Sequence, residues 1–298
     1  MHYEVAIQVI TYNQKDYIAQ CLDSIVMQRT TFPFVAIVHD DSSTDGTADI
    51  VRQYAGRYPD IIRPIFQTEN QYSKGFSPAK IAAEELDRLN PKYKCILDGD
   101  DYWTDAESLQ MRYDYLETHP ECAVVYSKVV QLLPSGEIAE LDAGYKWEVP
   151  TFEQLLMRNN VPLCTAMFRL DIFREYLAQV KPFDRNWPIN DWAMWLYMTS
   201  KHYEMAFIDR VTCVYRVTPV SITRRKTLRG RIKYINGIKH LSLYFSRYST
   251  QPHIRRQIKR RVNRGIYNEI MDEIKKYPMG ALLFKVYMTL RYGKNKTE

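Results

Sequence analysis

The 298-residue chain has no apolar stretch approaching the roughly 20 residues needed to span a bilayer. Its longest candidate, Met279 to Leu290, is short and broken by Lys285. A secretory signal pattern is also missing, so the reading expects a protein that stays in the cytoplasm. Cysteine is sparse. Cys21, Cys95, Cys122, Cys164 and Cys213 are scattered without metal-ligand spacing, which argues against a zinc site and a disulfide framework. Four of them lie in apolar runs or on helix faces, where a free thiol behaves as a small hydrophobe. No internal repeat and no low-complexity tract is present. The turn Thr11-Tyr12-Asn13-Gln14 has neither glycine nor a basic residue, which excludes a Gly-rich triphosphate-binding loop there. Acid is missing from one long stretch. Between Asp209 and Glu269 no carboxylate occurs while Arg and Lys are dense, and the net charge of +6 arises largely there.

What is present begins with buried-strand patterns. Val5-Ala6-Ile7-Gln8-Val9-Ile10 is β-branched and ends in the polar turn Thr11-Tyr12-Asn13. Over residues 15–28, Tyr17, Ile18, Cys21, Leu22, Ile25 and Val26 recur at helical spacing. Phe34 to Val38 reads as a second strand ending in His39-Asp40-Asp41-Ser42-Ser43, followed by a helix from Thr47 to Tyr54. A third strand is expected over Ile61 to Gln67, a helix over Pro78 to Leu89 and a fourth strand over Lys94 to Leu97. Strand alternating with helix predicts an α/β, Rossmann-like fold: a mainly parallel sheet with helices on both faces. Ligands bind beyond the carboxyl ends of such strands. Thr11-Tyr12, Asp40-Asp41 and Asp98-Gly99-Asp100-Asp101 all fall at such ends. Packed carboxylates repel one another unless a hard cation or a polyhydroxyl ligand lies between them. Mg²⁺ or Mn²⁺ on one or two carboxylates plus substrate phosphates is the usual arrangement for nucleotide chemistry.

Five segments in order give the chain a resemblance. They are Val9 to Asn13, Ile37 to Thr47, Ile96 to Trp103, Asn190 to Leu196 and Tyr215 to Ile222. Their order and spacing resemble the family 2 glycosyltransferases of the GT-A fold, of the type that builds bacterial cell-surface polysaccharides. The resemblance covers roughly residues 1–222. It implies that Asp100, the last residue of the Asp-X-Asp motif, binds Mn²⁺ or Mg²⁺. By the same resemblance Asp98 contacts ribose or donor sugar, and Asp101 orients the site from behind. Asp41, with Asp40 second, accepts from the base or ribose, and Thr11 and Tyr12 line the nucleoside slot. The alternative for Tyr12 is a core aromatic closing the strand edge. Asp45 reads as a helix cap and Gly46 as a turn residue.

Asp191 is the candidate catalytic base. It precedes Trp192, Trp195 and Leu196, which share an apolar helix face. Its alternative is a helix N-cap. The match in position and the need of an inverting transfer for one carboxylate on the acceptor side favour the base. Two departures from the family stand out. Asn190 replaces the acidic residue usual before the base, and Thr218 replaces a histidine that can reach the metal. Arg216 and Arg224 are candidate diphosphate contacts or ordinary surface arginines. On the acceptor side the reading places Trp187, Asn190 and Trp192, with Trp187 either stacking on a sugar or packing its loop onto the body.

The tail reads differently. Leu228, Ile232, Ile235, Ile238, Leu241 and Phe245 recur at helical spacing, as do Ile254, Ile258, Val262, Ile266, Ile270 and Ile274. Arg224-Arg225-Lys226, Arg255-Arg256 and Lys259-Arg260-Arg261 lie among them. Two basic amphipathic helices followed by Met279 to Tyr292 point to an anionic membrane surface, or to a helical cap with solvated charge. No recognition motif supports nucleic acid. The expected organisation is a GT-A domain over 1–222 and a basic helical region over 223–298. The expected activity is inverting, metal-dependent transfer from a nucleotide sugar, a UDP-sugar in the first instance, to a saccharide acceptor that is lipid-linked. The expected location is peripheral, on the inner face of the cell membrane. The alternative is a catalytically weak sugar-nucleotide-binding subunit.

Overall fold

The computed structural model describes residues 2–141, 145–185, 187–218 and 227–275. They fall into two compact units. Residues up to 185 join 190–219 in the first, and 186–189 join the residues from 220 onward in the second.

The first unit is an α/β sheet structure. It opens with β1 (Val5–Thr11), α1 (Ile18–Val26), β2 (Phe34–Asp40), α2 (Thr47–Arg57), β3 (Ile62–Phe66), α3 (Pro78–Leu89) and β4 (Tyr93–Asp98). It continues with β5 (Tyr102–Trp103), α4 (Ser108–Thr118), β6 (Cys122–Leu132), β7 (Ile138–Ala139) and α5 (Phe152–Met157). β8 (Met167–Arg169), α6 (Leu170–Val180), α7 (Asn190–Ser200) and β9 (Glu204–Arg216) complete it. The strands run in the order β3-β2-β1-β4-β8-β6-β9-β5, with β7 beside β6. β3, β2, β1 and β4 are parallel, and so are β6 and β9, whereas β8 is antiparallel to both its neighbours.

Why β1 and β2 read as unbroken apolar runs is visible in the packing. Ile7, Val9, Ala36 and Val38 join Ile18, Leu22, Ile25 and Val51 of α1 and α2 in one core. The alternate residues Ala6, Val35 and Ile37 join Ala82 and Leu86 of α3 in another. Both faces are covered, as parallel strands require. Pro64 is tolerated because β3 is an edge strand.

The chain steps from β1 outward to β2 and β3, then returns to place β4 on the other side of β1. That reversal opens a crevice at the carboxyl ends of β1 and β4. Register brings those ends level: Thr11 lies opposite Asp40, and Ile10 lies between His39 and Asp98. The expected elements are present with most ends shifted by no more than two residues, except that α1 starts only at Ile18 and α2 runs on to Arg57. The turn before it is closed by Gln14 O, which accepts from the N–H groups of Tyr17 and Ile18.

The longest strands, β6 and β9, were not anticipated. Their ladder slips from Ser127–Ile208 to Lys128–Val211, leaving Asp209 and Arg210 in a bulge. Asp209 pairs with Lys128, and Arg210 Nε meets Asp105 Oδ2 at 2.6 Å. Two charged residues in mid-strand hide the alternation that would have marked β9.

In the second unit, α8 (Leu228–Phe245) and α9 (Ile254–Lys275) form a pair. Arg231, near the start of α8, holds Glu269 and Glu273, near the end of α9, both at 2.6 Å, so the helices run antiparallel. Leu241, Phe245, Ile254, Ile258 and Val262 are buried. Trp187 packs on Tyr244 and Phe245, with ring centroids 5.2 and 5.9 Å apart. No helix among the described residues is long and apolar enough to cross a membrane. Arg224 and the segment Met279 to Tyr292 lie outside the described residues.

Candidate active site

The first unit gathers unsatisfied polar groups at the ends of β1 and β2. Thr11 Oγ1, Gln14 Oε1, His39 Nδ1 and Asp40 Oδ1 are buried without hydrogen-bond partners. A buried group left unpaired costs about 1–3 kcal/mol, so such a cluster calls for a partner from outside the chain. The loops carrying these groups are rigidly joined. Asn13 N donates to Ser43 Oγ and Thr44 N to Asn13 Oδ1, both at 2.9 Å. Gln14 N donates to Thr47 Oγ1 at 2.9 Å, and Lys15 N to Asp45 Oδ2 at 3.0 Å. Asp45 also accepts from Thr47 N at 2.9 Å. It caps the start of α2 from one residue further out than expected, because Gly46, at φ 100°, occupies the N-cap position.

The two aspartates after β2 divide the work. Asp40 Oδ2 accepts from Ser43 N at 3.0 Å, which leaves Oδ1 unengaged. Both oxygens of Asp41 accept backbone N–H groups of the loop after β3, from Gln71 at 2.8 Å and Tyr72 at 3.0 Å. The sequence reading ranked Asp41 ahead of Asp40 as a nucleoside contact, but the unengaged oxygen belongs to Asp40. Tyr12 is 47% exposed and so is not a core aromatic.

At the end of β4 the carboxylates crowd. Asp98 is open to solvent but ringed by protein. Desolvation, then the charges of Asp100 and Asp191, raise its pKa to about 7. Desolvation also raises Asp100, against a hydrogen bond from the Gln14 side chain and the charge of Arg216. Asp101 is buried and raised well above its ordinary value, mainly by desolvation. Its Oδ1 accepts from Arg216 N at 2.9 Å. The Arg216 guanidinium lies beside the acidic loop. It donates to Asp100 O at 3.0 Å and Gln20 Oε1 at 2.5 Å, and lies 4.8 Å from the Tyr17 ring centroid. Arg216 thus ties the end of β9 to the acidic loop.

Asp191 lies in the first turn of α7, and Asn159 Nδ2 donates to its Oδ2 at 3.0 Å. Desolvation raises its pKa, against the hydrogen bonds from Asn159 and from first-turn backbone N–H groups. Its charge is felt at both Asp98 and Tyr145, so base candidate and acidic loop share one electrostatic neighbourhood.

Residues 6–177 match the model of glycosyl transferase family 2, more than half of the 298-residue chain. The chain belongs to that family. A protein of uncharacterised function from Mycobacterium tuberculosis is 32% identical over 218 residues, 71% of this chain and 58% of the relative. The chain therefore spans little more than half the length of its mycobacterial relatives. The UDP-Glc:alpha-D-GlcNAc-diphosphoundecaprenol beta-1,3-glucosyltransferase WfaP of Escherichia coli is 32% identical over 248 residues, 80% of this chain and 87% of WfaP. Among solved structures, the mannosyltransferase PcManGT from Pyrobaculum calidifontis, in complex with GDP-Man and Mn²⁺, superposes with a TM-score of 0.58. It covers 98% of this chain and 82% of PcManGT at 18% identity, a likeness of fold. The fold is GT-A, with helices added at the C-terminal end.

In this family 2 chain the acidic loop suits a divalent cation. Burial is the main reason that Asp98 and Asp100 carry raised pKa values, with the charges of Asp100 and Asp191 adding to it at Asp98 and the Arg216 charge opposing it at Asp100. Tyr215 is raised to about 12 by desolvation first and then by the charges of Asp101, Asp100 and Asp98. No group of three or more His, Cys, Asp or Glu side chains among the described residues forms a ligand cage, so the protein's share would be one or two carboxylates. Thr218, the position at which the resemblance leads one to expect a histidine, is buried.

Both acceptor-side tryptophans are buried, which decides between the two readings of Trp187. Trp187 is committed to α8 within the second unit and is not an exposed stacking platform. Trp192 is buried, and its Nε1 donates to Leu155 O at 2.7 Å, tying α7 to α5. Asn190 is exposed at the start of α7, with its carbonyl accepting from Tyr176 Oη at 3.1 Å. The sequence reading missed Asn159, whose only signal was its place in a family-like turn.

Proposed function

We propose that this chain is an inverting, metal-dependent glycosyltransferase that moves a sugar from a nucleotide-diphosphate donor, a UDP-sugar, to a lipid-linked saccharide acceptor. One observation carries the reading: unpartnered Thr11, Gln14 and Asp40 atoms and the Asp98–Asp101 carboxylates meet at the switch point between β1 and β4. Asp40, Thr11 and Tyr12 receive the nucleoside, with Asp41 shaping the wall through residues 70–72. Asp100, with Asp98 beside it, holds Mn²⁺ or Mg²⁺, and Asp101 fixes the loop from behind through Arg216. When bound there, a cation would supply charge neutralisation for the departing diphosphate. Asp191 takes the proton of the acceptor hydroxyl as that oxygen attacks the anomeric carbon from the face opposite the diphosphate. A single displacement with one carboxylate inverts the anomeric centre. The catalytic domain spans 1–222, and the helical region 223–298 meets anionic lipid on the cytoplasmic side. Exposed Arg255, Arg256, Lys259 and Arg260 support the latter, and WfaP's diphosphoundecaprenol acceptor supports a lipid-borne substrate.

Asp191→Asn tests the mechanism. It should leave UDP binding intact and cut transfer by about 10²- to 10⁴-fold, the usual worth of a general base. Product stereochemistry by NMR completes the test. Near-parental transfer, or a retained anomeric configuration, would remove Asp191 and the single displacement from the account.

A further inference from the structure

Asn159 touches Asp191 and is itself held from both sides. Its Nδ2 donates to Asp191 Oδ2 at 3.0 Å, and its Oδ1 accepts from Val161 N at 3.4 Å. The second contact fixes which end of the amide faces the carboxylate, since the Val161 N–H needs an acceptor and Asp191 a donor. The backbone on either side is firm. α5 opens with a capping box, in which Gln154 N donates to Thr151 Oγ1 at 3.2 Å and Thr151 N to Gln154 Oε1 at 2.7 Å. Arg158 N closes the helix on Gln154 O at 2.9 Å, one residue before Asn159. The Trp192–Leu155 bond couples this segment to α7, and Tyr176 holds the first residue of α7 from α6. Asn159 and Asp191 are therefore carried by two elements bolted together.

We propose that Asn159 is a positioning residue for the base. Its amide holds one oxygen of Asp191 so that the other is presented to the acceptor hydroxyl. The proposal rests on the reading of Asp191 as base. A neutral amide suits the task. It restricts the carboxylate's rotation without the full counter-charge of a Lys or Arg, which would weaken its basicity.

The test is a double-mutant cycle. Asn159→Asp has nearly the same shape and keeps an oxygen for the Val161 N–H, but loses the donor to Asp191. The parent, Asn159→Asp, Asp191→Asn and the double variant are compared for release of nucleotide from UDP-glucose, UDP-N-acetylglucosamine and GDP-mannose with Mn²⁺. UDP calorimetry checks that each variant keeps its donor site. Asn159→Asp should lower kcat by about 10- to 100-fold, the scale of a misplaced catalytic group, with donor KM unchanged. In the Asp191→Asn background it should have no further effect, because the two act as a unit. Asn159→Ala should repeat the pattern if facing carboxylates disturb folding. Parental turnover in Asn159→Asp and Asn159→Ala, or an equal further loss in the Asp191→Asn background, would overturn the proposal and leave the base in place. Parental turnover in Asp191→Asn, or none by the parent on any donor, would instead overturn the functional reading itself.

Discussion

A single methyl group at residue 99 would be felt across the site. A Cβ there would stand 2.5 Å from Gln14 Oε1 and 3.0 Å from the Thr11 side chain, so alanine at this position requires the end of Gln14 to move and Thr11 to give. Gly99→Ala should push both side chains outward and weaken UDP binding by about tenfold, roughly 1.4 kcal/mol, in a protein that still folds. Calorimetry beside a thermal melt checks this, and unchanged affinity would contradict it. Asp98 gives a prediction in pH. Its folded pKa, about 7, lies above the ordinary 3.8, so the folded state binds its proton more tightly than the unfolded chain. The stability Asp98 contributes is greatest at low pH, declines as pH rises through the window between those values, and is flat above it. In the ligand-free protein Asp98→Asn should flatten that decline. Because a cation prefers the ionised carboxylate, Mn²⁺ binding should release protons near pH 6 and almost none near pH 8.5. Calorimetry in buffers of differing ionisation heat reads this release, and equal release at the two pH values would refute the assignment.

Among the elements, α9 is built against its own electrostatics. Arg255 and Arg256 stand in its first turn, at the positive end of the helix dipole, and no acidic residue accompanies them there. Each cation so placed costs about 0.3–1 kcal/mol, which a purely structural helix would have no reason to bear. Glu269 and Glu273 lie at the opposite end and are engaged by Arg231. Arg255, Arg256, Lys259 and Arg260 are exposed, whereas Ile254, Ile258 and Val262 are buried. Replacing those four cations with Gln should leave thermal stability equal or higher and abolish flotation with anionic vesicles. Parental flotation should fall with salt, since each exposed charge contributes about 1 kcal/mol at a lipid surface and is screened beyond roughly 8–10 Å. Flotation of the variant equal to that of the parent would show that charge is not the attraction.

The elements also show what sequence can reveal. The strand ends were legible because β-branched runs of unbroken apolarity stop abruptly at Thr11, Asp40 and Asp98. The helices of the second unit were legible from their spacing. β9 was not, because the bulge at Asp209 and Arg210 removes its period. Nor could spacing tell a core tryptophan from a sugar platform, since both demand the same side chain. Trp187, for which stacking and packing were both open, is buried, and so is Trp192 on the apolar face of α7. The division between Asp40 and Asp41 depends on where the loop at residues 70–72 returns, a long-range fact that local patterns do not carry.

For the molecule as a whole, donor binding falls to the carboxylate-rich crevice of the first unit. The central claim is that nucleotide and cation bind there together. The direct measurement is calorimetry of UDP with Mn²⁺ and with EDTA, on the parent and on Asp100→Asn. The account predicts an affinity that needs the cation in the parent and a loss of that dependence in the variant, where a neutral amide replaces the charged ligand. Binding of UDP that is the same with EDTA as with Mn²⁺, or the same in Asp100→Asn as in the parent, would contradict it.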